Sequence, residues 1–138
     1  MTNVQFERID FDKLTKIDKR QYNHLSVSAA LANYGFFSQG LLDNNEPVDF
    51  IASHYSGTSQ LSVLLKSRLT LASHLEHQNL SIAFYERGYW YVYPHDDVLA
   101  FACQTSTITH TTSWQQKGIY TFPQLTDKYR QLLKPWRL

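Results

Sequence analysis

Cysteine is almost missing from this 138-residue chain, with Cys103 its single representative. One thiol excludes an internal disulfide framework and any multi-cysteine zinc site. Its apolar surroundings, Leu99-Ala100-Phe101-Ala102, predict a buried core thiol. An excess of one charge sign is missing too: 13 Lys and Arg against 12 Asp and Glu leave a net charge of +1. Such a balance gives no general attraction to nucleic acid and argues against an acidic mimic of DNA. No window approaches the roughly 18–20 apolar residues of a membrane-crossing helix. The first ten residues lack the basic start and apolar stretch of a signal peptide, which predicts a cytoplasmic protein with no membrane partner. Internal repeats, low-complexity tracts, a Gly-rich phosphate loop and a Gly-x-Ser-x-Gly nucleophile elbow are also absent.

What is present fits one folded domain spanning residues 1–138. Hydrophobic residues make up 43% and charged residues 18%, enough for a proper core, and aromatics reach 14%. Leu14, Ile17, Tyr22, Leu25, Ala29 and Tyr34 recur at helical steps, predicting a helix within Phe11–Tyr34 with Asp18 as N-cap and Gly35 as its stop. Strands are predicted over Phe36–Leu42, Val48–Tyr55 and Gln60–Ser67, the last two joined as a hairpin around Ser56-Gly57-Thr58. Further strands, Leu80–Tyr85 and Tyr89–Tyr93, meet at Arg87-Gly88. Strict alternation places Tyr89, Tyr91 and Tyr93 on one face and Trp90 and Val92 on the other. A helix begins at His95-Asp96, residues 104–113 read as irregular, and a closing helix runs over Pro123–Leu133 with Pro135 at its end. The fold class is α+β: one central, mostly antiparallel mixed sheet flanked by helices.

The hairpin carries the chemical hypothesis. Asp49 opens one of its strands and Lys66 ends the other, and antiparallel pairing brings them to the same sheet edge. A carboxylate there can hold a divalent cation that activates water, and a lysine can stabilise charge on a phosphate. Val48-Asp49-Phe50-Ile51-Ala52, Val63-Leu64-Leu65-Lys66-Ser67-Arg68-Leu69-Thr70 and Trp90-Tyr91-Val92-Tyr93-Pro94-His95-Asp96 together resemble uncharacterised bacterial members of the PD-(D/E)XK nuclease superfamily. The resemblance spans most of the chain. It implies a restriction-endonuclease-like fold in which Asp49 is the first acid and metal ligand, Lys66 the catalytic lysine, and Mg²⁺ or Mn²⁺ the cofactor. It also implies DNA or RNA as partner. The pattern departs at its middle acid, where Leu64 stands two places before the lysine. Leucine can neither bind metal nor accept a proton, so an active site would need an acid from elsewhere, such as Glu46, Glu76 or Asp96.

Three functions follow. The first expectation is a degenerate nuclease-like domain that binds nucleic acid, through Lys66 and Arg68, or a protein partner without efficient catalysis. The second is an active metal-dependent nuclease using Asp49, Lys66 and a borrowed acid. The third is a homodimeric interaction module joined through aromatic strands. Plainer roles stand beside these. Asp49 can cap a turn after Pro47, and Lys66 and Arg68 can simply form a solvated basic strand end. His74 and His77 lie in a polar connection rather than at the spacing of a helical metal pair, and the tyrosines fit cross-strand packing.

Overall fold

A computed structural model describes residues 3–138. Phe11–Lys13 forms a 3₁₀ turn, and α1 (Lys16–Ala32) starts only after it. Thr15 is the N-cap: its hydroxyl oxygen accepts the Asp18 N–H at 3.2 Å and donates to the Asp18 carboxylate at 2.9 Å. Asp18 therefore sits inside the first turn and is not the cap. Gly35 ends the helical region at φ +83°, where a Cβ would lie 2.8 Å from the His54 and Tyr55 side chains. The buried stripe of α1 is His24, Val27 and Leu31, while Ile17 and Leu25 are mostly exposed. The expected apolar face was thus misplaced, because a histidine supplies one of the buried positions.

Among the described residues seven strands follow: β1 (Phe36–Leu41), β2 (Phe50–His54), β3 (Gln60–Leu65), β4 (Thr70–Ala72), β5 (Ser81–Glu86), β6 (Tyr89–Pro94) and β7 (Ile119–Thr121). The main sheet has the order β1-β2-β3-β5-β6, and β4 pairs with β7 in a separate two-stranded sheet. Only β3 and β5 run parallel; the other pairs are antiparallel. The predicted hairpin is β2–β3, with Phe50 opposite Val63.

Helices cover both faces, giving the expected α+β architecture. On one face, Val27 and Leu31 of α1 pack against Phe50, Ala52, Val63, Ala83, Trp90 and Val92. On the other, α2 (His95–Thr105) and α4 (Asp127–Leu133) close the larger core, where Tyr91 and Tyr93 lie among Ile82, Phe84, Leu99 and Leu133. The alternation read for β6 holds, and it sends each side into a different core. Little of that strand remains for a partner, since Tyr91 and Tyr93 are buried and Tyr89 alone of the three is exposed.

Several local expectations change. Cys103 is exposed. On α2 the inward positions are Val98, Leu99 and Ala102, and the residue after Ala102 is rotated about 100° further round the helix. The stretch expected to be irregular holds the end of α2, a 3₁₀ turn at Ile108–His110 and the start of α3 (Thr112–Lys117). The closing helix starts at Asp127 rather than Pro123, and a 3₁₀ turn over Lys134–Trp136 extends past it through Pro135.

The small sheet is tied to the main one by side chains. The Tyr93 hydroxyl donates to the Thr70 carbonyl at 2.8 Å and accepts the Thr70 N–H at 3.0 Å. Two residues on, His95 Nε2 accepts the Ala72 N–H at 3.0 Å, which places its ring proton on Nδ1, facing the Asp96 carboxylate. Buried backbone groups are satisfied here by a phenol and an imidazole instead of a neighbouring strand.

Candidate nucleic-acid interface

Asp49 immediately precedes β2 and Lys66 immediately follows β3, so the hairpin register brings both to one end of the sheet. The Asp49 N–H donates to the Val63 carbonyl at 2.9 Å, and the Lys66 N–H donates to the Ala83 carbonyl at 2.9 Å. Both residues line one cleft of about 470 Å³. Arg68 lies just beyond, in an adjoining cleft of about 300 Å³.

Both carboxylate oxygens of Asp49 have partners. Oδ1 accepts the Arg20 Nε–H at 3.0 Å, and Oδ2 accepts the Leu65 backbone N–H at 2.7 Å. Arg20 also donates through Nη2 to the Leu42 carbonyl at 3.1 Å, so its guanidinium joins α1 to the hairpin. Neighbouring His24 feels the same cation. Burial and then Arg20 push its imidazole below the ordinary value of 6.5, against a smaller opposing pull from Asp49.

The remaining cleft chemistry is cationic and aromatic. Lys16, Lys19, Arg20 and Lys66 line it together with Phe11, Tyr85 and Trp90, and Asp49 is its single carboxylate. Lys19 Nζ lies 5.5 Å from the Phe11 ring centroid. None of Glu46, Glu76 and Asp96 lines this cleft. Glu46 is an exposed turn residue, and Glu76 stands 3.8 Å from His77. Asp96 is engaged by His95 and by the His77 N–H, and the His95 hydrogen bond foremost holds its carboxyl below the usual range. Leu64 is turned away, half-buried against the larger core.

This donor set does not fit Mg²⁺ or Mn²⁺. Such ions need several oxygen ligands, and a lone carboxylate neutralised by guanidinium, with three lysines around it, offers repulsion instead. Among the described residues no group of three or more His, Cys, Asp or Glu side chains could hold a metal ion. What the arrangement suits is an anion.

Arg20, Lys16, Lys19 and Tyr85 were not singled out from the sequence as site residues. A signal for three of them was present, because Lys16, Lys19 and Arg20 stand at i, i+3 and i+4 and so share one side of a helix. No protein family, curated protein or solved structure matches the chain.

Proposed function

We propose that this chain is a degenerate PD-(D/E)XK nuclease-like domain that binds nucleic acid without cutting it. The observation that carries the reading is the state of Asp49. Its carboxylate is spent on Arg20 and Leu65, within a cleft whose other charges are all positive. A leading helix, followed by a hairpin that sets Asp49 and Lys66 at one edge, is the layout the superfamily resemblance calls for. Leu64 serves packing, and the metal-binding half of the chemistry has been replaced by a latch between helix and sheet. The lysines remain free to meet phosphates: among the described residues Lys16, Lys19 and Lys66 have no carboxylate within ion-pair distance.

Fluorescence anisotropy with a labelled oligonucleotide across a salt series tests this. Binding should weaken steeply with salt, and Lys66→Ala should reduce the logarithmic salt slope by about 0.7–0.9, the value of one phosphate contact. The same oligonucleotide incubated with Mn²⁺ should stay intact. Cleavage that Asp49→Ala abolishes would instead establish the active nuclease, and binding indifferent to salt would remove the phosphate-contact role.

A further inference from the structure

Three depressions meet at one end of the main sheet. The 470 Å³ cleft and the 300 Å³ cleft both include Ser67 and Tyr85. A third, of about 270 Å³, shares Phe11, Asn23, Tyr85 and Trp90 with the first. The 300 Å³ cleft opens on the face closed by α4 and the other two on the α1 face, so with Tyr85 lining all three they form a groove that wraps the end of the sheet around this residue.

Charge is strongly segregated into that groove. Beyond the four cations around Asp49, its far end adds Arg68, Arg87 and Arg130. Seven of the chain's 13 Lys and Arg residues line it, against two of its 12 Asp and Glu. Both of those carboxylates are already paired: Asp49 with Arg20 at 3.0 Å, and Glu86 with Arg130 at 2.8 Å and Arg87 at 3.5 Å. Those pairs occupy Arg20, Arg87 and Arg130, the last also bonded to Asp127, and among the described residues Lys16, Lys19, Lys66 and Arg68 have no ion-pair partner, so a chain close to neutral overall presents a net-positive groove.

Phosphate contacts alone would not distinguish one strand from two; the aromatic floor does. Tyr85 is 53% exposed, and its ring meets Trp90 edge-on at 5.5 Å between centroids. Trp90 is fixed in turn by donating its indole N–H to the Ser26 hydroxyl at 2.9 Å. A braced, half-exposed ring between cations is a platform for a base face, and base faces are accessible only when the strand is unpaired. The cations also line a depression rather than a ridge. A duplex, which is read by elements projecting into its grooves, would span the opening and leave Tyr85 unused. A cleft of about 470 Å³ lies within the size range of pockets that take a small organic group.

Resting on the nucleic-acid reading above, we infer that the groove is specific for single-stranded nucleic acid. The strand crosses Tyr85, stacks an unpaired base on it, and holds its phosphates between the Lys16/Lys19/Lys66 cluster and Arg68. Neither stacking nor phosphate contact involves the sugar hydroxyl, so DNA and RNA strands should both bind.

The test is anisotropy at one fixed salt concentration, with one mixed sequence of about 12 nucleotides, a length within the span single-strand-binding folds engage. It is offered as a single strand and as a closed hairpin duplex, in DNA and in RNA. The full chain, Tyr85→Ala, Tyr85→Phe and Lys66→Ala are compared. Wild type should bind either single strand at least about tenfold more tightly than its duplex, Tyr85→Ala should lose about tenfold or more on single strands only, and Tyr85→Phe should keep wild-type affinity. Duplex binding as tight as single-strand binding, or an unchanged Tyr85→Ala, overturns the inference. If Lys66→Ala still weakens binding in that case, the broader nucleic-acid reading survives. No binding of any probe removes both.

Discussion

Replacing Asp49 with alanine separates a latch from a catalytic acid. The substitution removes the acceptor of two hydrogen bonds, one from the Arg20 guanidinium at 3.0 Å and one from the Leu65 N–H at 2.7 Å. It leaves a guanidinium with 29% side-chain exposure and a backbone donor at the end of β3 without those partners. Hydrogen bonds to charged groups contribute about 1.5–3 kcal/mol each, but solvent reaches this pair, so the two together are worth about 2–3 kcal/mol. For a domain of this length that corresponds to a melting temperature lower by roughly 6–12 °C. Asp49→Asn keeps an acceptor for Leu65 and loses the charge, and should fall about half as far. Thermal melts followed by circular dichroism, with guanidinium titrations to confirm the free energies, read both variants. A melting temperature unchanged or raised in Asp49→Ala would refute the reasoning, because relief on removing a polar group is the signature of a functional site held at a cost in stability.

Excess Mn²⁺ should leave the wild-type melting temperature unmoved, whereas a site occupied at one hundred times its dissociation constant would add about 2.7 kcal/mol; a rise that vanishes in Asp49→Ala would restore the metal site. His24, held neutral by burial and Arg20, has a folded pKa below 6.5, so the unfolded chain binds more protons in mild acid. Stability should therefore be complete above about pH 6.5 and decline below it, with a shallower decline in His24→Leu, and equal slopes in melts from about pH 7.5 to 5 would count against this. Tyr93→Phe strands both backbone groups of Thr70 and should cost about 2–4 kcal/mol by chemical denaturation; a loss under about 0.5 kcal/mol would mean water replaces the hydroxyl. Cys103, being exposed, should react with a thiol reagent in the native state at a rate that denaturant barely increases.

The Tyr89–Tyr93 strand was legible from its alternation and the hairpin from two strand-like runs around a short Gly-containing turn, both local patterns, and the hairpin placed Asp49 and Lys66 at one end of the sheet without coordinates. The buried side of α1 was not. His24 packs edge-on against Phe50 at 4.9 Å and bonds to Ser38, a tertiary environment that a polar residue type does not announce. The pairing of β4 with β7 joins three-residue strands far apart in the sequence, too short to show a period. The groove was hidden for a different reason. Its cations come from α1, the end of β3, the β5–β6 turn and α4, so no basic run appears and the net charge of +1 conceals the segregation. Nothing in the sequence joins Arg20 to Asp49, and only the packing of α1 on the hairpin shows that it takes the carboxylate a metal would need.

The tether between the two sheets bears on how this molecule comes apart. A two-stranded ribbon of three residues a side would ordinarily fray, exchanging its amide protons long before the rest of the chain opens. Here the Thr70 and Ala72 amides are held by Tyr93 and His95, both fully buried, the first within the larger core. Releasing either amide requires parting it from a fully buried aromatic ring. The outlying ribbon therefore shares the opening free energy of the central sheet. Slow hydrogen exchange at those two positions, matching that of β5 and β6, would mark the whole domain as a single cooperative unit.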